Sequence, residues 1–115
     1  MQHFLIHFSY TSEAWDTLIR NPENRLQVMS PVVENLGGKI ESGFLMFGDY
    51  DVVYVLQMPD NISSAALSIA IIASGAVRNV KTVQLMSWDE GVEAMKEAKK
   101  ALYKPPEKDP MLNRR

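Results

Sequence analysis

Residues 39–58, KIESGFLMFGDYDVVYVLQM, decide the fold of this chain. Residues 39–47 and 52–58 are rich in aromatic and β-branched side chains, which predicts two strands. The GDYD sequence between them supplies the glycine and aspartate residues that a tight link requires. The segment therefore predicts a β-hairpin.

Two more strands are predicted, one on each side of this hairpin. Phe4, Ile6 and Phe8 alternate with other residues near the start of the chain, and this period of two indicates a first strand. Residues 80–86 indicate a fourth strand by the same criterion. The hairpin and its two flanking strands are enough for one small sheet.

Two helical segments are predicted between the first strand and the hairpin. Thr11 or Ser12 can cap the first of them. The second carries an apolar stripe, and Pro31 within it predicts either a kink or a new helical turn capped by Ser30. The stripe consists of Leu26, Met29, Val33 and Leu36, and it ends at a pair of glycines.

Two further helices are predicted after the hairpin. Residues 65–73 are small or branched and apolar almost all round, so we expect a well-buried helix, capped by Asp60 or Asn61. Ser87 and Glu90 have the spacing of a capping box, which predicts the start of a final helix.

The order of these elements, β-α-β-β-α-β followed by a helix, is the split βαβ pattern of ferredoxin-like folds. We therefore predict an α+β domain whose four-stranded antiparallel sheet carries its helices on one face. At 115 residues the chain is long enough for one modest core. We expect this domain to span 1–103, followed by an extended or mobile tail over 104–115, where three prolines interrupt the periodicity.

Composition limits the classes of function. The chain has no cysteine, which excludes disulfides, thiolate zinc sites and thiol nucleophiles. A net charge of −2 argues against nucleic acid as a partner. Residues 65–77 are too short to span a bilayer, which takes about 20 residues, and no basic leader is evident, so we expect a cytoplasmic protein without membrane partners. Phosphate-loop and dinucleotide motifs are missing, so no cofactor is predicted.

The predicted sheet has apolar residues on both faces. If Val53, Val55, Val83 and Leu85 face the helices, an equally apolar set faces away from them. Such a face should not be exposed to water, and the single final helix is polar on its outer side. We therefore predict a homodimer in which two sheet faces enclose a partly polar space. The set facing away consists of Val52, Tyr54, Leu56, Met58, Val80, Met86, Phe44 and Met46.

Residues 47–53, FGDYDVV, resemble the signature of the GYD domain family. Residues 36–39, 58–61 and 73–77 are similar to other parts of that family's pattern, and the resemblance covers 4–98. It implies a small ferredoxin-like fold related to the dimeric α+β barrels. It implies no agreed activity and no established catalytic residues.

His7 is the main candidate for chemistry, because an imidazole on a strand face can act as an acid, a base or a ligand anchor. Tyr54 is a weaker second candidate for catalysis. The alternative is a hydrogen-bonded histidine in a dimer interface. Tyr50 is expected at the mouth of the space between the two sheets. The predicted ligand-binding set is His7, Ser9, Ser42, Phe44, Tyr54 and Gln84.

A metal site is not predicted. His3 and His7 lie on one face of the strand, but four residues at about 3.3 Å each separate their backbones by roughly 13 Å. Asp49 and Asp51 are too few oxygen ligands for calcium, and turn chemistry accounts for both of them.

Three functions remain as hypotheses. The first is a dimer that binds a small organic ligand, including cofactor-independent oxygenase or isomerase chemistry in which His7 and Tyr54 orient an aromatic or carbonyl compound. The second is a non-catalytic assembly or regulatory module whose sheet faces bury one another. The third is binding of single-stranded nucleic acid on the sheet, which would need a basic groove.

Overall fold

The computed structural model describes residues 1–107, so most of the predicted tail lies outside the described residues. The chain divides into two units, Met1–Leu85 with the whole sheet and Met86–Arg115 with the last helix. The elements are β1 (Gln2–Tyr10), α1 (Ser12–Arg20), α2 (Arg25–Asn35), β2 (Lys39–Leu45), β3 (Val52–Met58), α3 (Asn61–Ala73), β4 (Val77–Leu85), α4 (Trp88–Ala98) and a 3₁₀ turn (Lys99–Ala101).

The four strands form one antiparallel sheet in the order β2-β3-β1-β4. β2 and β3 are neighbours and form the predicted hairpin. β1 and β4 are the two strands most distant in sequence, and they are also paired. The first and the last strand are therefore neighbours in the sheet. The predicted α+β, ferredoxin-like class is therefore confirmed.

Alternate residues of β1 and β3 form the centre of the core. Residues paired across an antiparallel ladder lie on the same face of the sheet, and here one face packs against α2 and α3. The helices contribute one apolar stripe each. The buried apolar residues are Phe4, Ile6, Phe8, Tyr10, Met29, Val33, Val52, Tyr54, Leu56, Met58, Leu67 and Ile71.

A β-bulge interrupts the pairing of β1 with β4. His7 pairs with Lys81 but Ser9 pairs with Arg78, so β4 contains one extra residue in this interval. Asn79 lies within it and has a φ of 56°, a left-handed conformation that asparagine adopts more readily than most residues. The bulge changes which residues of β4 face the helices.

Side chains cap the helices as the sequence predicts. The Thr11 hydroxyl accepts the Ala14 N–H, and the reciprocal Ser87 and Glu90 capping box is present. Pro31 lies within α2, which continues through it to Asn35. The Ser30 hydroxyl donates back to the Leu26 carbonyl at 3.0 Å, so it does not cap a new turn.

The prediction that the helix after the hairpin is well buried is wrong. Ile62, Ile69 and Ile72 of α3 are 81%, 65% and 55% exposed, respectively. A helix packed on one sheet face buries a single stripe, whatever the residues on its other side. Of the helices within residues 1–107, none combines the length and apolar character needed to cross a membrane. The buried stripe of α3 consists of Ser64, Leu67 and Ile71.

Candidate functional site

The sheet surface opposite α2 and α3, which we call the open sheet face, carries three rows of side chains. Each row crosses β4, β1, β3 and β2 in that order. The first row is Lys81, His7, Val53 and Phe44; the second is Val83, Leu5, Val55 and Ser42; the third is Leu85, His3, Gln57 and Lys39.

The middle of the open sheet face is apolar. Leu5 and Val55 are half-buried and lie side by side in the second row, and Val83 beside them is 46% exposed. Phe44, at the edge of the first row, is 66% exposed. A contiguous apolar strip of this kind is typical of a surface that binds another molecule.

His7, Tyr50 and Lys81 form a cluster at one end of this strip, which we call the His7 cluster. The Tyr50 ring meets the His7 imidazole edge-on, with 4.0 Å between the ring centroids and an angle of 90° between their planes. The Lys81 ammonium lies 5.7 Å from the Tyr50 ring centroid. The interaction of Lys81 with the Tyr50 side chain raises the pKa of Lys81. The cluster thus places a cation and a phenol beside an imidazole.

One nitrogen of His7 is unsatisfied. Nδ1 is buried and has no hydrogen-bond partner among the described residues. Leaving a buried polar atom without a partner costs about 1 to 3 kcal/mol. Few buried polar atoms in native proteins lack a partner, so this nitrogen in the described part of the chain calls for an explanation.

Hydrogen bonds to β1 fix the turn that carries Tyr50. The Ser9 hydroxyl donates to the Asp49 carbonyl at 3.3 Å, and the Tyr10 N–H donates to Asp51 Oδ2 at 2.9 Å. These bonds lie on both sides of Tyr50 in sequence. They hold the aromatic ring of Tyr50 against the end of β1, where His7 lies.

The structure brings together three of the six predicted ligand-binding residues. His7, Ser42 and Phe44 lie on the open sheet face, the last two on the edge strand β2. Ser9 is buried, and its hydroxyl is bonded to the turn, so it supports the His7 cluster from within.

The prediction that Tyr54 and Gln84 share a face with His7 is wrong. Tyr54 pairs with Ile6, is 3% exposed and packs against Phe8 in the core. Gln84 pairs with Phe4 and therefore also belongs to the helix side of the sheet. Because β3 is apolar on both faces, period alone does not tell which of its two sets of residues meets the helices.

Lys81 is the member of the His7 cluster that sequence reasoning missed. It occupies the position across from His7 on β4. The sheet face on which Lys81 lies depends on the bulge, because the extra residue changes the alternation of side chains along β4. One sequence signal could have indicated the bulge, and with it the position of Lys81. This signal is Asn79, an isolated asparagine in a segment rich in β-branched residues.

The opposite end of the open sheet face is polar. Glu41 accepts a hydrogen bond from Gln57 at 2.7 Å and lies 3.0 Å from His3 Nε2. These contacts place His3 in a different environment from His7. In the described part of the chain, no three His, Asp or Glu side chains are grouped so that they could hold a metal ion.

The sequence matches a known family over most of its length. Residues 4–98 match the family model described as GYD domain. The chain belongs to the GYD domain family. This membership covers both strands of the hairpin and the motif that carries Tyr50.

Relatives of this GYD-domain protein include one curated protein with a named binding property. The glutamine synthetase and cystathionine beta-lyase binding protein of Thermus thermophilus is 24% identical over 80 residues, which cover 70% of this chain and 84% of that protein. That protein is named for its binding to these two enzymes.

Two solved structures are similar in backbone. The crystal structure of TTHA0845 from Thermus thermophilus has a TM-score of 0.50 and 14% identity, covering 76% of this chain and 95% of that one. It supports the same fold class. The crystal structure of FFRP-DM1 has a TM-score of 0.47 and 12% identity, covering 75% of this chain and 100% of that one.

Proposed function

We propose that this GYD-domain protein is a homodimeric binding protein whose two open sheet faces pack together and enclose a small organic ligand at the His7 cluster. The single observation that carries the proposal is the buried, unpartnered Nδ1 of His7 at the edge of an apolar strip.

The apolar strip supports self-association. Leu5, Val55 and Val83 form a flat row that a second copy of the same row can cover. Burial of apolar surface contributes about 25 cal/mol per Å², so two such faces gain by packing together. The third row is polar at His3 and Gln57, both of which contact Glu41, and it would form a hydrated rim on this interface.

The His7 cluster supports a ligand with an oxygen acceptor on an apolar body. The Lys81 ammonium and the Tyr50 hydroxyl offer hydrogen-bond donors, and His7 offers either a donor or an acceptor. Leu5 and Val53 provide apolar neighbours on the sheet surface. An aromatic carbonyl compound or a similar molecule meets all of these demands.

Native mass spectrometry of the purified protein tests this proposal. We expect a dimer that releases a small molecule on denaturation. Val55→Lys, which places a charge in the middle of the apolar strip, should give a monomer, whereas Ile69→Lys on the exposed side of α3 should leave the dimer intact. A monomeric wild-type protein would contradict the proposed interface.

Ligand binding at the His7 cluster has its own test. His7→Phe removes the imidazole nitrogens but keeps an aromatic ring against Tyr50, so we expect a dimer that no longer retains the small molecule. His3→Phe, at the other end of the same strand face, is the matched control and should retain it. Equal retention by both variants would place the ligand elsewhere.

A second function is favoured by the relative from Thermus thermophilus, whose name records binding to two enzymes. We propose as the alternative that this protein is a non-catalytic regulatory module that binds metabolic enzymes. Separate binding experiments test this alternative. In them, purified glutamine synthetase and cystathionine beta-lyase from the organism of this protein are each titrated against the protein. A ligand-free dimer that binds one of them would favour the alternative, and a ligand-loaded dimer that binds neither would exclude it.

A further inference from the structure

A separate cavity lies on the helix side of the sheet, between the link from α1 to α2 and the hairpin strands. Its volume is about 430 Å³. Pockets of about 300 to 1,000 Å³ are the usual size for small-molecule sites. The main lining residues are Tyr10, Trp15, Leu18, Leu26, Tyr54 and Arg25.

Aromatic rings form much of the cavity wall. Tyr10 meets Trp15 edge-on at 5.1 Å between ring centroids, and Tyr54 is also part of the lining. Gly43 leaves room for the Tyr54 ring, because a Cβ at Gly43 would lie 2.5 Å from a ring carbon. Flat apolar or aromatic molecules stack well against such walls.

Arg25 supplies the positive charge of the cavity. Its Nη1 lies 2.7 Å from Glu23 Oε1, and the two side chains are 36% and 39% exposed. Tyr10, which also lines the cavity, lies close enough to Arg25 to interact with it electrostatically. An ion pair this exposed contributes little to stability, so another carboxylate can replace Glu23 at little cost.

The two phenols of the cavity are protonated at neutral pH. Burial raises the pKa of Tyr54 to about 12, and burial also raises the pKa of Tyr10, opposed by the charge of Arg25. Protonated phenols can donate hydrogen bonds to an anion. A guanidinium has five donors in a planar fork that matches a carboxylate.

We propose that this cavity binds a small carboxylic acid with a flat apolar body, whose carboxylate takes the place of Glu23 on Arg25. The Glu23 side chain, in the link just before α2, marks where the carboxylate of the ligand lies. The apolar body rests between Trp15 and Tyr54. This site lies on the other side of the sheet from the His7 cluster and is independent of the ligand proposed there.

The proposal is tested with indole-3-acetate and its neutral analogue indole-3-acetamide as probes. Isothermal titration calorimetry measures the binding, because the indole ring of both probes fluoresces like tryptophan and would hide the signal of Trp15. We expect saturable binding of the acid and binding of the amide at least tenfold weaker. No saturable change, or equal affinity for acid and amide, would overturn the proposal.

Variants assign the binding to Arg25. Arg25→Gln should weaken binding of the acid at least tenfold, and Glu23→Gln should strengthen it about threefold by removing the competing carboxylate. Arg20→Gln removes an exposed arginine that pairs with Asp16 and should change nothing. Binding that survives Arg25→Gln would contradict the proposal. Folding of each variant is checked by its urea unfolding curve.

The proposals for the two ligand sites can be tested independently of each other. His7→Phe should leave the binding of indole-3-acetate unchanged, and Arg25→Gln should leave the molecule retained in native mass spectra unchanged. If His7→Phe abolishes binding of the acid, the acid binds on the open sheet face and the cavity proposal is wrong.

Discussion

The indole N–H of Trp15 donates to Oδ2 of Asp51 at 3.2 Å, and the same oxygen accepts the Tyr10 N–H. One carboxylate therefore joins the GDYD turn to both β1 and α1. Asp51 also donates its own backbone N–H to the Phe8 carbonyl at 3.0 Å. The position of Tyr50 over His7 depends on this junction.

Replacing Asp51 by alanine should destabilise the protein by about 1 to 3 kcal/mol, because two partly buried donors lose their acceptor. Urea unfolding followed by tryptophan fluorescence would measure the change. Asp49→Ala is the matched control, since Asp49 acts here through its backbone carbonyl, which the substitution keeps. Equal losses for the two variants would show that the carboxylate of Asp51 has no special role.

Gly38 is a position where close packing leaves no room for a side chain. A Cβ there would overlap the Met58 sulfur and lie 2.7 Å from the Gln57 carbonyl oxygen. We expect Gly38→Ala to destabilise the protein by about 1 to 3 kcal/mol. Gly91→Ala, in α4 with open space around its Cβ, should instead stabilise it by up to about 1 kcal/mol. Thermal unfolding of both variants tests the contrast, and a stabilised Gly38→Ala would refute it.

The environment of Tyr54 predicts a loss of stability in alkali. Its pKa is raised by burial from 10.0 in the unfolded chain to about 12. The folded state therefore keeps a proton that the unfolded state releases, and the free energy of unfolding falls as the pH rises from about 10 to 12. Tyr54→Phe should reduce this fall, and Tyr103→Phe, at an exposed tyrosine, should not. Identical alkaline profiles for wild type and Tyr54→Phe would refute the prediction.

The hydrogen bonds of Asp60 predict a loss of stability in acid. Its side chain accepts the Ser63 N–H at 2.8 Å and the Ser63 hydroxyl at 2.7 Å, and the backbone hydrogen bond is the main reason why the pKa of Asp60 is lowered from 3.8. The stabilisation is present above pH 3.8 and is lost as the pH falls through the lower pKa of the folded state.

Asp60→Asn tests this dependence, because asparagine caps helices as well as aspartate does but does not titrate. We expect unfolding midpoints close to wild type at about pH 6 and a smaller decrease below pH 3.8. Asp49→Asn should retain the wild-type acid profile. A wild-type profile in Asp60→Asn as well would show that the cap does not contribute to the acid transition.

Local patterns predict much of the fold. The strand over Val52–Met58 has the predicted bounds, and the Ser87 and Glu90 capping box is present as expected. These features depend on residues close together in sequence, so local chemistry determines them. The effect of Pro31 could not be predicted from the sequence. A kinked helix and a new turn capped by Ser30 can both accommodate a proline, which has no backbone N–H to donate.

The faces of the sheet could not be predicted in the same way. β3 reads VVYVLQM, which gives both faces apolar residues, so its burial is decided by contacts with α2 and α3. The pattern therefore groups Tyr54 with His7, although Tyr54 lies on the other side. The bond between Trp15 and Asp51 spans 36 positions, and no local pattern indicates it.

The bulge at Asn79 is a place where the length of this chain can change in evolution. Deleting that one residue would restore regular pairing and would leave Lys81 opposite His7 and Val77 opposite Tyr10, because β4 has one residue more than β1 in this interval. A deletion elsewhere in β4 would instead shift the register and exchange the faces of the residues on one side of it. We expect homologues that are one residue shorter in this strand to lack the residue of the bulge, so that Tyr50 keeps the same neighbours.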